Sequence, residues 1–249
     1  MNWIFLSPHL DDVALSCAGL VWELAQAGEG VQVWTICAGS PTAGELSPFA
    51  SSLHRRWETG DDATRLRREE DLLACRRMQA ECRHFSIPDC IYRRDSAGNF
   101  LYADEEALFG EFNPAEESLV SALSAELQQH LTGDAQVVSP LTIGGHVDHQ
   151  LTRRAAEALQ VPLWYYADYP YILKEHGGLE RLQQQGWEAR LFPVSPQGLQ
   201  AWQDAVAAYR SQISSFWAGE GEMRAAMQAY CEEMNGVRLW RKGAVPPHP

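Results

Sequence analysis

No run of about 18 apolar residues occurs anywhere in the 249-residue chain, so no stretch of it has the length to cross a bilayer as a helix. The N-terminus also lacks the basic start and short apolar core of a signal peptide, which sets the expectation of a cytoplasmic protein. Basic residues are scarce. With 20 of them against 33 acidic ones the net charge is −13, which leaves no footprint for nucleic acid and disfavours an anionic membrane surface. The six cysteines, Cys17, Cys37, Cys75, Cys82, Cys90 and Cys231, form no Cys-x-x-Cys pair and no zinc-ribbon spacing, and they read as buried free thiols. Internal repeats and low-complexity stretches are absent. A hydrophobic share of 45% with 21% charged residues excludes a disordered or fibrous chain and is enough for one large α/β domain, expected over residues 1–245 with a disordered tail at 246–249.

What is present is concentrated at residues 3 to 12, where the apolar run Trp3 to Leu6 stops abruptly at Ser7-Pro8-His9-Leu10-Asp11-Asp12. The run reads as a short buried strand, and in an open α/β sheet ligands sit beyond the carboxyl ends of strands. Val13 to Ala27 has apolar residues at helical spacing before Gly28, and Val31 to Cys37 reads as the next strand, completing a βαβ unit of a parallel sheet. A dinucleotide-binding fold would put glycines and free N–H groups at this first turn. Asp11 and Asp12 would instead repel a pyrophosphate and attract a cation. His and Asp are ligands for a divalent metal, and a catalytic zinc takes about three of them, leaving one position for water. Further donors follow a second strand-like run, Gln136 to Ser139, at His146-Val147-Asp148-His149. If these residues were merely structural, the aspartates would cap the helix that starts at Val13, but capping explains one carboxylate and nothing in the second motif.

The ordered pair of PHLDD and HVDH, each just past a strand, resembles the PIG-L/LmbE-like zinc-dependent N-deacetylases. Arg67-Arg68-Glu69-Glu70-Asp71, Pro88 to Arg93, Gly144-Gly145 and Tyr209-Arg210-Ser211-Gln212 agree with the resemblance, which covers nearly the whole chain except residues 40 to 64. It implies a Rossmann-like three-layer α/β/α fold with a mostly parallel sheet and the active site at the C-terminal ends of the strands. It implies a hydrolase that removes an acetyl group from an N-acetylated amino sugar or an N-acetylglucosamine-containing glycoconjugate through a zinc-activated water. His9, Asp12 and His149 would hold Zn²⁺, and the same donor set also accepts Fe²⁺, Co²⁺ or Mn²⁺. Asp11 would be the base. His146, as imidazolium, would stabilise the oxyanion and protonate the amine, with Asp148 orienting it or tuning its pKa. Arg67 and Asp89 would contact the sugar, and Glu70 would lie near the site. Some family members carry a tyrosine where this chain has Gly144, and Tyr166 or Tyr169 would have to replace it.

The expected partner is a small acetamido sugar or glycoconjugate, with no nucleic acid and no membrane; a homo-oligomer stays open. Two rivals remain: an amidase or esterase acting on a non-sugar substrate, and a non-catalytic sugar- or metal-binding module, for which a base and an acid would be superfluous. Residues 39 to 64 read as a long substrate-facing loop or lid with a helical piece at His54 to Trp57. Arg65 to Ala80 reads as an amphipathic helix with Leu66, Leu72, Leu73 and Met78 inward and Arg67 and Arg68 as solvated charges unless the resemblance holds. His84 to Ile87 and Trp187 to Val194 read as strands, Ala167 to Tyr171 as a pocket wall or core packing, and the chain beyond Pro196 as mainly helical. His54, His84, His130 and His176 show no acidic partner in the sequence, and His248 is not a ligand candidate.

Overall fold

The computed structural model describes residues 1–41, 44–133, 135–175 and 177–243, without the side chain of residue 61. The tail at 246–249, with His248, and His176 lie outside the described residues. One sheet organises the rest. The strands are β1 (Asn2–Ser7), β2 (Gly30–Thr35), β3 (Glu81–His84), β4 (Gln136–Pro140), β5 (Leu163–Tyr166), β6 (Trp187–Phe192) and β7 (Val237–Lys242), in the order β3-β2-β1-β4-β5-β7-β6. The first five run parallel, while β7 is antiparallel to both β5 and β6. Successive residues of β1 point to opposite faces. Trp3 and Phe5 join a core with α1 (Asp12–Gln26), α3 (Ala63–Met78), α8 (Pro196–Val206) and α10 (Glu220–Met234), and Ile4 and Leu6 join a second core under α5 (Glu117–His130) and α6 (Val147–Glu157). The expected three-layer α/β/α fold is therefore present. None of the described helices is long and apolar enough to cross a membrane.

The sheet order runs outward from β1 to β2 and β3 on one side and to β4 and β5 on the other. The crevice between β1 and β4 is thus a topological switch point, where connections leave in opposite directions and a ligand can enter. Both sequence motifs follow these two strands.

Four local expectations change. The expected strand at His84 to Ile87 lies earlier, at Glu81–His84, because an edge strand carries polar residues where a buried one would not. Strand β7 sits in a stretch expected to be helical. The helix in the 39–64 segment is longer and earlier, α2 (Pro48–Arg56), started by Ser47, whose side chain accepts from the Ala50 N–H, with Pro48 in the first turn. Helix α3 turns a different face inward: Leu72 and Leu73 are exposed, whereas Arg67, Asp71, Ala74, Cys75 and Met78 are buried. Arg67 is therefore no solvated charge. His84, for which the sequence shows no acidic partner, has its Nε2 2.8 Å from Asp71 Oδ2.

Candidate active site

Ser7 ends β1 and settles the local backbone: its hydroxyl donates to the His9 carbonyl at 2.6 Å and accepts from the Val13 N–H at 3.2 Å. It does the capping that an aspartate would otherwise do, and Asp11, at the N-cap position of α1, makes no side-chain cap bond. Asp12 accepts the His9 N–H at 2.7 Å, which folds the segment from His9 to Asp12 back so that ring and carboxylate meet. On the other side of the switch point, Gly144 and Gly145 both take positive φ, 88° and 79°, and bring the chain round to His146, the N-cap of α6. His146 Nδ1 accepts the Asp148 N–H at 3.2 Å, and His149 follows in the first turn.

Asp12 stands between two imidazoles, with Oδ2 3.2 Å from His9 Nδ1 and Oδ1 3.4 Å from His149 Nε2. Each ring is held at its other nitrogen by a carboxylate: His9 Nε2 lies 2.9 Å from Asp148 Oδ2, and His149 Nδ1 lies 2.6 Å from Asp168 Oδ1. Such outer carboxylates fix tautomer and ring orientation in metal sites. His149 Nε2 is buried and has no hydrogen-bond partner, an orphaned lone pair of the kind a metal satisfies. The residues therefore fit a divalent metal, with His9 Nδ1, Asp12 and His149 Nε2 as its donors. His146 is close as well: ring nitrogens of His9, His146 and His149 lie within 4.8 Å of one another.

Charges in this cluster are strongly coupled. Burial alone would push both His9 and His149 down, yet Asp12 and Asp148 raise His9 well above the ordinary imidazole value, and Asp12 and Asp168 raise His149 to about 9. Asp12 stays well below the usual carboxylate range, because His149 and His9 outweigh its burial. Asp11 moves the other way, up to about 6, through burial and the neighbouring Asp12 charge, only partly offset by Arg67 and His9. Burial and the two neighbouring imidazoles hold His146 well below the ordinary value, a direction that favours the neutral ring over the expected imidazolium. With Nδ1 accepting a backbone N–H, its proton resides on Nε2.

Residues 4–160 match the family model PIG-L, GlcNAc-PI de-N-acetylase. The chain belongs to the PIG-L family. It is 30% identical over 246 residues to 2'-N-acetylparomamine deacetylase of Niallia circulans, covering 89% of this chain and 84% of that one. It is 33% identical over 176 residues to 2'-N-acetylparomamine deacetylase of Streptomyces fradiae, covering 68% of this chain and 57% of that one. Among solved structures, the zinc-inhibited form of teicoplanin deacetylase Orf2 superposes with a TM-score of 0.82 at 27% identity over 97% of both chains.

This PIG-L chain departs from its sequence expectation at several site positions. The Asp148 carboxylate hydrogen-bonds His9 and the Cys90 N–H and pairs with Arg93, so it does not orient His146, whose Nδ1 accepts the Asp148 backbone N–H, but its charge raises His146 and so tunes it as expected. Burial would raise Asp148, but Arg93 and His9 more than reverse this and hold it well below the usual range. Neither tyrosine proposed to replace the missing one can do so: Tyr166 donates its hydroxyl to the Leu6 carbonyl, and Tyr169 is buried against Tyr230 and Trp217. Tyr171 fills the place. A Cβ at Gly144 would lie 3.1 Å from the Tyr171 ring, and that ring meets His149 edge-on with centroids 5.9 Å apart.

A cavity of about 440 Å³ opens over these groups. Arg67 and Asp89 both line it, with Arg67 3.7 Å from Asp11, 3.8 Å from Asp89 and stacked 4.8 Å over the Trp57 ring. Asp89 Oδ2 also lies 4.0 Å from His9 Nε2. Glu70 lies one step back: it accepts from the N–H and hydroxyl of Ser211 at 2.9 and 2.6 Å, at the start of α9 (Arg210–Phe216), beside the cavity residue Gln212. Tyr171 lines the cavity, as one reading of Ala167 to Tyr171 as a pocket wall expected, while sequence reasoning missed Trp57 and the pairing of Asp168 with His149. The Ser47-Pro48 helix start could have signalled that Phe49, Leu53 and Trp57 share one face; nothing local to Asp168 marks it as a partner of His149.

Proposed function

We propose that this protein is a zinc-dependent N-deacetylase that hydrolyses the acetamido group of an N-acetylated amino sugar or glycoconjugate to acetate and the free amine. The carrying observation is a division of labour at one cavity: His9 and His149 converge on Asp12, while a second carboxylate, Asp11, and a third imidazole, His146, border them without pairing with Asp12. Zinc held by His9, Asp12 and His149 would lower the pKa of a water to roughly 7 and polarise the amide carbonyl. Asp11, ionised above about pH 6, accepts the proton of the attacking water. Neutral His146 offers Nε2–H to the oxygen that gains charge as the carbonyl is attacked. The C–N bond then breaks, and the proton collected by Asp11 goes to the departing amine, which balances the reaction without a resident imidazolium. Arg67 and Asp89 bind sugar hydroxyls, and Trp57 and Tyr171 give the ring an apolar wall.

The names of the relatives, acetylparomamine and teicoplanin deacetylases, support an amino-sugar substrate. The test is incubation of metal-stripped protein, reconstituted in turn with zinc, iron(II), cobalt(II) and manganese(II), with a panel of N-acetylated amino sugars, simple acetamides and simple esters. Free amine and acetate are followed together. Stoichiometric release from the sugars is expected. Turnover of the esters or acetamides alone would replace the sugar assignment, and no turnover with intact metal binding would leave a binding module. Because one relative has a zinc-inhibited form, the zinc series includes an arm with zinc in excess.

A further inference from the structure

A second group of metal-type donors lies away from the cavity, where α3 packs on the edge strand β3. Asp71 and Cys75 are one turn apart on α3, so they share a face of the helix. Cys82 and His84 are two apart on β3, so they share a face of the strand. Between them only Gln79, in the left-handed conformation at φ 58°, and Ala80 turn the chain from helix to strand, which sets one pair against the other. Donor atoms of Asp71, Cys75 and Cys82 lie within 4.8 Å of one another. His84 Nε2 is 2.8 Å from Asp71 Oδ2 and 3.2 Å from Cys82 Sγ, and Cys82 Sγ is 3.5 Å from Asp71 Oδ2.

We propose that Asp71, Cys75, Cys82 and His84 form a second site for a thiophilic divalent cation, zinc being the best match. Two sulfurs, an imidazole and a carboxylate are the donor types that bind zinc tetrahedrally, and soft thiolates select against magnesium and calcium. With zinc bonds of about 2.3 Å to sulfur and 2.0–2.2 Å to nitrogen and oxygen, tetrahedral donors lie about 3.3 Å (nitrogen to oxygen) to about 3.8 Å (sulfur to sulfur) apart. The separations of 2.8, 3.2 and 3.5 Å among Asp71, Cys82 and His84 reach this range by opening about 0.5 Å or less, and Cys75 Sγ lies within 4.8 Å of the Asp71 and Cys82 donors. The carboxylate is already oriented from behind: Tyr209 donates to Asp71 Oδ1 at 2.5 Å and Thr35 donates to Oδ2 at 2.9 Å. Entry is from the sheet edge, where Cys82 and His84 are only half-buried. A cation here would pin α3 to β3 one turn beyond Arg67, and so fix the helix that carries this residue into the cavity. The site shares no residue with the catalytic donors and stands whether or not the deacetylase reading does.

The experiment is a zinc titration of the metal-stripped full chain against a chromophoric chelator, on the wild type, Asp12→Asn, His84→Gln and the double variant Cys75→Ser/Cys82→Ser. Two zinc ions per chain are expected for the wild type. One is expected for the double variant, with an affinity loss of about tenfold or more at one site for His84→Gln. Cobalt(II) substitution supplies a second readout: the near-ultraviolet thiolate-to-cobalt charge-transfer band should appear in the wild type and in Asp12→Asn, and vanish in the double variant. If the double variant does not fold by circular dichroism, zinc-dependent protection of Cys82 from alkylation in the wild type takes its place. A zinc stoichiometry that loss of both thiols leaves unchanged, no cobalt–thiolate band in the wild type, a band that survives loss of both thiols, or a Cys82 that zinc leaves unprotected would each overturn the proposal.

Discussion

Two buried polar clusters sit on this sheet, and they differ in how the chain assembles them. The one at the switch point gathers His9, Asp12, His146 and His149 from two tight motifs, each at a strand end, and opens into the large cavity. The one at the sheet edge gathers Asp71, Cys75, Cys82 and His84 from neighbouring stretches of one helix and one strand, with half-buried donors. The first places reactive groups around a space for substrate. The second has donors without an adjacent base, acid or substrate wall, so its chemistry ends at binding.

The largest expected effect separates them most sharply. His149→Ala should abolish the switch-point metal and lower kcat/KM by on the order of 10³-fold or more, the scale of the several kcal/mol a Lewis acid supplies; full metal occupancy in that variant would show that His149 is not a ligand. Asp11→Asn comes next: metal should stay bound while kcat falls by roughly 10²-fold or more, as for loss of a general base. Loss of metal in that variant would exchange the roles of Asp11 and Asp12. Asp168→Ala touches neither substrate nor metal, yet by releasing His149 Nδ1 it should weaken metal affinity or activity by about 10–100-fold, and an unchanged chelator titration would remove it from the site.

The acidity of the two ligand histidines gives a further measurement. Both are raised above the ordinary imidazole value, His149 to about 9, so both rings favour the protonated form at neutral pH and would give up protons to bind a cation. Metal affinity at the switch point should therefore climb with pH from the neutral range upward, with about two protons released per ion by calorimetry in buffers of different ionisation enthalpy. An affinity that does not change with pH would contradict the coupling of Asp12 to both rings. The smallest effect is the control for the comparison: His84→Gln should weaken zinc binding at the edge site and leave the affinity of the switch-point site where it was, read in the same chelator titration.

Much of the first cluster was legible because its donors are packed into PHLDD and HVDH, and because a strand that ends in charges announces a cleft. Helix α3 was misread for a physical reason. Its inward face carries Arg67 and Asp71, which are buried because they have partners across the molecule, Asp11 and Asp89 for the one and Thr35, His84 and Tyr209 for the other. A hydrophobicity pattern registers such residues as solvated. The same blindness hid Asp168, whose partner His149 is 19 positions away and meets it only through the pairing of β4 with β5. Tyr171 was legible as pocket wall but its place against Gly144 was not, since that is defined by the space Gly144 leaves empty.

Asp148 belongs to the second motif by sequence and to the first by contact, for its carboxylate, fully buried, grips His9 across 139 positions of chain. The two halves of the metal site are thus not assembled independently and then brought together; neither has its geometry until β1 lies beside β4. A nascent chain that has completed only the first βαβ unit has His9 and Asp12 but nothing to hold the ring, and should be unable to sequester metal. On the proposed ligand set, metal capture would be a late event, and an ion bound at the switch point would certify that the sheet has closed in the right order.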